Sequence, residues 1–217
     1  MPGHENLTVC IDFKSPNSYL AFTPTCALCK TLGVQVNWLP FLAPGMKLRQ
    51  VRTEQSPGSI NDGNSRGARH RHMRSEYRQR DLLRYAGNSG LSLAGMKRDI
   101  DSQLAALGLL WCKQNSTCDI KKYIETVFLD CWKLETDIAN PAVIHEALLK
   151  AGAPVKGFEA FSADTGLAQL TGLHTELIEC GVFDTPFYLL GGDRFLGRQH
   201  LPMIKWLLTD KQTRKPI

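Results

Sequence analysis

No stretch of this chain stays apolar for anything near the roughly 20 residues that a membrane-crossing helix needs, so no membrane partner is expected. The first residues, Met1-Pro2-Gly3-His4-Glu5-Asn6, hold neither a basic n-region nor a long apolar h-region, and a secretory signal is not expected either. A disulfide framework is lacking as well. There are seven cysteines, an odd number at irregular spacing, and without a signal they read as reduced thiols in a cytoplasm. Metal-ligand spacing is also missing. His70-Arg71-His72 is too short to be a ligand set, and Cys112, Cys118 and Cys131 fall in helical patterns as core fillers, so no metal is expected. Aromatics interleaved with basic residues and nucleic-acid-binding motifs are both absent, which argues against a nucleic-acid partner despite the net charge of +5.

What is present belongs to an ordinary globular protein. Hydrophobic residues make up 43% and charged residues 22% of 217, enough for one domain, or two small ones sharing a core. The positive charge is unevenly placed: Arg49, Arg52, Arg66, Arg69, Arg71, Arg74, Arg78 and Arg80 crowd one region, opposed by little more than Glu54, Asp62, Glu76 and Asp81. A solvated helical face is the first reading, a site for a small anionic ligand the second, nucleic acid the third.

Residues 7–13 read as a buried strand that runs into Asp12-Phe13-Lys14-Ser15-Pro16-Asn17-Ser18-Tyr19. Ser15 before Pro16 is a helix-start signal: a hydroxyl that can cap orphan N–H groups, then a ring whose φ suits the first turn. The helix is expected over Pro16–Leu32, kinked at Pro24 and stopped by Gly33. Its N-terminus aims N–H groups and a positive dipole end at one point, where an anion such as a thiolate can be stabilised. Taken alone, Ser15 is an ordinary N-cap.

Val34, Val36 and Trp38 alternate with polar residues as a second strand, ended by Pro40 and parallel to the first. A Gly-, Pro-, Ser- and Asn-rich stretch over residues 43–64 reads as a long loop. Helices are expected over His70–Ala86, around Ile100–Trp111, over Ile120–Trp132, from Asn140-Pro141 to Gly152, and over 163–180. Phe187–Leu190, the turn Gly191-Gly192-Asp193 and Arg194–Leu196 read as a hairpin. A last helix carries Leu201 to Leu208, and a basic tail runs from Lys211. The order βαβ, helices, ββα points to an α/β thioredoxin-like domain over 1–45 and 181–217 with an all-helical insertion over 46–180. Cys26-Ala27-Leu28-Cys29 has redox spacing, but it lies well inside the first helix, away from the dipole end, and is read with Phe22 as part of an apolar face.

With Asp12 to Ala21 at one end and Gly181-Val182-Phe183-Asp184-Thr185-Pro186 near the other, the chain resembles the 2-hydroxychromene-2-carboxylate isomerases. These are relatives of kappa-class glutathione transferases and, more remotely, of DsbA-type disulfide oxidoreductases. Phe128 to Pro141, with Trp132, Asp137 and Asn140-Pro141, and Tyr77 to Tyr85 look like that family too.

The resemblance implies glutathione as cofactor, with the Ser15 hydroxyl bonded to its sulfur at the position where oxidoreductases place a nucleophilic cysteine. It implies a cis Thr185-Pro186 peptide whose Thr185 backbone pairs with glutathione as a strand does. Asn64 and Arg74 match positions turned toward glutathione or an anionic substrate. A homodimer is among the expectations.

Two departures bear on the site. Asp184 stands where the family usually has Gly, and Gln199 lies where an acidic residue often receives the γ-glutamyl amine, a role Asp184 could fill from another direction. Asn17 also replaces a commoner aromatic. The implied chemistry is reversible addition of the glutathione thiolate to an activated double bond, rotation about the bond while it is single, and expulsion. A disulfide oxidoreductase needs Cys-x-x-Cys where this chain has Ser15-Pro16-Asn17-Ser18. A kappa-like transferase and a non-catalytic binding module stay open beside the isomerase.

Overall fold

The computed structural model describes residues 7–43, 66–88, 99–209 and 216. The long loop expected over 43–64, from residue 44 on and including Arg49, Arg52 and Asn64, lies outside the described residues. So does the basic tail, apart from Pro216.

The elements are β1 (Leu7–Ile11), α1 (Pro16–Leu32), β2 (Val36–Pro40), α2 (Arg66–Asn88), α3 (Gln103–Gln114), α4 (Ile120–Trp132), α5 (Pro141–Lys150), α6 (Phe158–Ala163), α7 (Thr165–Glu179), β3 (Phe187–Leu190), β4 (Asp193–Leu196) and α8 (Leu201–Leu208). The strands form one sheet in the order β2-β1-β3-β4. β1 runs parallel to β2 and antiparallel to β3, which pairs antiparallel with β4. This is the sheet of a thioredoxin-like fold, assembled from the two ends of the chain.

Strand β1 is apolar apart from half-buried Thr8, because both its faces are largely covered. Leu7, Val9 and Ile11 point into the main core, and Cys10 points the other way, toward Phe41, Leu177, Val182 and Phe187. It stops at Ile11 rather than Phe13, because the chain then turns and the Ser15 amide bonds the Asp12 carbonyl at 3.0 Å. Strand β2 starts later than the alternation predicts and includes Pro40, paired with Ile11. A proline is tolerated there because β2 is the edge of the sheet.

Helix α1 has the expected ends: Ser15 caps it, Pro16 opens it, and Gly33 at φ 67° closes it. It continues through Pro24, which is exposed. One residue on, the Thr25 hydroxyl donates to the Ala21 carbonyl at 2.7 Å and meets the Tyr188 hydroxyl at 2.9 Å, tying α1 to β3. Cys29 is buried and Cys26 half-buried against the core that holds Phe22.

Helix α2 is longer than its apolar stripe predicts, and α3 begins after Ile100. Helix α6 was not anticipated. It is too short for a periodic signal and exists because Phe158 and Phe161 pack on Trp111, at 6.1 and 5.0 Å between ring centres. The hairpin turn is Gly191-Gly192, with Gly191 at φ 55°, so Asp193 belongs to β4.

The helices between β2 and β3 have no separate core. Phe13, Tyr19 and Phe22, from the β1–α1 segment, interlock with Tyr123, Phe128 and Trp132 of α4, with Phe13 and Phe128 ring centres 5.1 Å apart. The Trp132 indole N–H donates to the Phe13 carbonyl at 2.9 Å, two residues before Ser15.

Asp12 supplies the second tie. Its carboxylate, 2% exposed, accepts from the Lys14 amide at 3.1 Å and the Ser102 hydroxyl at 2.5 Å on one oxygen. The other accepts from the Ala43 amide at 2.8 Å and lies 3.7 Å from the Lys14 ammonium. One side chain thus holds the start of α3 and the end of the β2 exit onto the turn before α1. Burial pushes its carboxyl above the ordinary value of 3.8, against the opposing pull of Ser102, Lys14 and Ala43.

Two outcomes follow for stability. Trp132→Phe removes the indole donor from the Phe13 carbonyl and leaves a small void, and should cost about 2–4 kcal/mol. Urea denaturation should show a lower midpoint at unchanged m.

Asp12→Asn sets an amide NH2 or a misdirected carbonyl against at least one of its donors and should cost about 1–3 kcal/mol. Because the folded state holds the Asp12 proton more tightly than the unfolded chain, the wild-type contribution is full below the ordinary carboxylate pKa. It declines as pH rises from there through the raised folded value. The stability difference between wild type and Asp12→Asn should therefore shrink with rising pH in denaturant titrations. A difference that grows would contradict the assignment.

Candidate functional site

The site is built where β1 hands over to α1. Ser15 is held in extended conformation, φ −89° and ψ 114°, as an N-cap must be, and its hydroxyl oxygen accepts from the Ser18 amide at 3.3 Å. Ser18 is fully buried, and its own hydroxyl accepts from the Asp12 amide at 3.3 Å. Asp12, Ser15 and Ser18 therefore brace one tight turn whose open end is the positive end of α1.

The second segment arrives from the far end of the sequence. Thr185-Pro186 is a cis peptide. The Ser15 hydroxyl donates to the Thr185 carbonyl at 3.3 Å across 170 residues of sequence. β3 starts immediately afterwards and is locked between β1 and β4, which places Thr185 beside the α1 N-terminus. Thr185 is buried, and its side-chain oxygen has no hydrogen-bond partner among the described residues. Its amide donates to the Asp184 carboxylate at 2.8 Å, and Asp184 itself is exposed. Next to it stands Phe183, 62% exposed, its ring edge-on to Phe187 at 5.7 Å.

Of the residues singled out in the sequence, Ser15, Asp184, Thr185 and Pro186 are brought together. Gln199 lies two residues past Gly197, whose amide bonds the Pro186 carbonyl, and no described hydrogen bond joins Gln199 to Ser15, Asp184 or Thr185. The Gln199 side-chain amide folds back to donate to the Leu196 carbonyl at 2.8 Å, on the short 3-10 turn Arg198–His200. Arg74 lies exposed on α2, where it lines a shallow surface cavity of about 360 Å³ with His70, Met73, Tyr77 and Arg78. No described contact joins Arg74 to Ser15.

Helix α2 meets the rest of the protein near its C-terminal end, through buried Leu82 and Ala86 and through Tyr85, whose ring lies 3.5 Å from the Arg198 guanidinium. Asn64 lies outside the described residues. The residue that sequence reasoning passed over is Asp12. It stands in the same stretch as Ser15, but its partner Ser102 is 90 positions away and only the fold reveals it.

None of the cysteines with displaced pKa values is activated. Burial pushes the Cys10 thiol up to about 12 and Cys26 up to about 11, and it also raises Cys29, Cys112 and Cys118. A thiol held protonated is a poor nucleophile. The chemical resource of the site is a hydroxyl and a helix dipole, suited to holding an anion brought in by a ligand.

The comparisons agree with this geometry. A family model described as a DsbA-like thioredoxin domain matches residues 6–209. Among solved structures, a 2-hydroxychromene-2-carboxylate isomerase superposes with a TM-score of 0.69 at 21% identity, over 94% of each chain. A probable DsbA oxidoreductase from Streptomyces coelicolor gives 0.65 at 15% identity, over 99% of this chain and 94% of that one. The cytosolic disulfide reductase DsbM from Pseudomonas aeruginosa, solved with GSH, gives 0.63 at 16% identity, over 95% and 98%. No curated protein sequence matches the chain. No helix among the described residues is long and apolar enough to cross a membrane. With its cis-proline segment closing on a capped helix N-terminus and the family model spanning nearly its whole length, the chain belongs to the DsbA-like thioredoxin family.

Proposed function

We propose that the protein is a glutathione-dependent isomerase of an aromatic or conjugated carboxylic acid, similar to 2-hydroxychromene-2-carboxylate isomerase, working in the cytoplasm on a small anionic substrate. The observation that carries this reading is the Ser15 hydroxyl, sited at the N-terminus of α1 and bonded to the Thr185 carbonyl. In disulfide oxidoreductases a reactive thiol supplies the chemistry. Here Ser15-Pro16-Asn17-Ser18 supplies none, so a thiol has to come with a ligand. The neighbour solved with GSH makes glutathione the natural candidate.

The residues present fit such a group. Thr185 offers a backbone amide and carbonyl beside the α1 N-terminus that an extended peptide could pair with by exchange, and its buried hydroxyl oxygen has no partner among the described residues. Ser15 would hold the sulfur, with Thr185 and Pro186 against the peptide and Asp184 beside them. When bound, glutathione supplies a thiolate that adds reversibly to an activated double bond. The protein favours the thiolate over the thiol through the α1 dipole and the Ser15 donor. The exposed arginines of α2, Arg74 among them, supply positive charge for a carboxylate substrate.

A kappa-like transferase would use the same thiolate on a different electrophile. The Asp184 and Gln199 departures favour a further alternative, a thioredoxin-fold module that binds a partner without catalysis.

Replacing Ser15 separates cap from catalyst. Ser15→Ala should cost about 0.5–2 kcal/mol as a lost cap. As a lost thiolate donor it should cut kcat/KM for glutathione-dependent isomerisation of 2-hydroxychromene-2-carboxylate by about ten- to a thousand-fold. Both losses should appear, measured where the variant stays folded. Saturable calorimetric binding of glutathione below about 10 mM is expected for the wild type. No binding up to that ceiling would leave the non-catalytic module as the better reading.

A further inference from the structure

We propose that Asp184 is a specificity-determining residue that occupies the ligand's place on the cis-proline edge. Its carboxylate holds the Thr185 amide that an extended peptide such as glutathione would take, so a ligand pairs there only as Asp184 turns away. The inference rests on the glutathione reading and reverses the role the sequence led one to expect for this residue, that of an attachment point for the ligand's amine.

The backbone polar groups of this segment are few and all are engaged. The Thr185 amide donates to the Asp184 carboxylate at 2.8 Å. The Thr185 carbonyl accepts from Ser15 at 3.3 Å. Proline 186 has no amide to give, and its carbonyl accepts from the Gly197 amide at 2.9 Å. From Phe187 onward the backbone is taken up by β1 and β4. An incoming peptide therefore has the Thr185 amide and carbonyl as its partners, and it must exchange hydrogen bonds at both.

The two exchanges differ in kind. Ser15 gives up a neutral acceptor, and its hydroxyl is then available to a sulfur. Asp184 gives up a charge-assisted bond to a backbone amide, which a neutral ligand carbonyl replaces less strongly. Asp184 also leaves a negative charge beside a ligand that carries carboxylates of its own. Because Asp184 is exposed, its carboxylate can rotate into water. That makes it a competitor rather than a block, and a filter favouring ligands that bind the edge strongly enough to displace it.

The experiment is a calorimetric titration of the full chain with glutathione, for the wild type, Asp184→Asn and Asp184→Ala, with amide hydrogen exchange at Thr185 followed by NMR. Asp184→Asn removes the charge and keeps an acceptor, so it should bind about two- to threefold tighter. Asp184→Ala removes the competitor altogether and should bind about five- to tenfold tighter. The Thr185 amide should exchange several-fold faster in Asp184→Ala without ligand.

Binding that tightens from the wild type through Asp184→Asn to Asp184→Ala, with faster Thr185 exchange in Asp184→Ala, would support the inference. Equal or weaker binding by both variants, with the wild type still binding, would overturn it and leave the glutathione reading standing. Unchanged exchange at Thr185 would overturn it whatever the titrations show. No binding by any of the three proteins would take down the glutathione reading and this inference together.

Discussion

A carboxylate removed from water at the end of a strand must find donors, and Asp12 finds them in separate parts of the chain: the Lys14 amide on its own turn, the Ala43 amide beyond β2, and the Ser102 hydroxyl before α3. The low surrounding dielectric makes the loss of any of these bonds costly. The geometry around Ser15 depends on this knot. Ser15 sits three residues on, and its amide bonds the Asp12 carbonyl. The helices between β2 and β3 are thereby anchored to the turn that carries the site, reinforced by the Trp132 bond to the Phe13 carbonyl.

Ser15 serves two structural partners at once. Its oxygen accepts from Ser18 as a cap, and its proton goes to Thr185, a contact that no local structure requires. A cap residue that also reaches across the fold is positioned by both segments, so its hydroxyl is preorganised rather than free to rotate. An anion arriving at this helix N-terminus would take that proton in exchange for the Thr185 carbonyl, from a hydroxyl already held in place. Thr185 stands opposite, buried at the entry to β3, with its carbonyl on the Ser15 hydroxyl.

Thiol chemistry and charge are distributed to match. The cysteines whose pKa values are displaced are all raised by burial, so those thiols are poor nucleophiles, while the α1 N-terminus carries a hydroxyl. Arginine is concentrated on α2, whose side chains from Arg69 to Arg80 are exposed where described. Among the described residues of α2, the ion pairs are those of His72 and Arg80 with Glu76 and of Arg84 with Asp81, at exposures where such pairs contribute little. The field of this helix therefore acts on what lies outside it rather than on the fold.

The sequence by itself determined the pieces governed by short-range rules. Ser15-Pro16 and Gly33 marked the ends of α1, because capping and left-handed φ are settled within a few residues. The gapless apolar stripe from Ile120 to Trp132 marked α4, and Gly191-Gly192 the hairpin, for the same reason. Helix α6 escaped, since six residues cannot show a period and only Trp111, far away in sequence, makes Phe158 and Phe161 a core. The tertiary structure alone decided that Asp12 is a buried hub and that the Gln199 side chain bonds the Leu196 carbonyl. It also decided that Asp184 bonds the very amide a ligand would need. Each of these is a choice of partner between groups that are individually able to bond several others. A side chain's chemistry limits its partners, but which one it meets is set by where the sheet brings the two ends of the chain together.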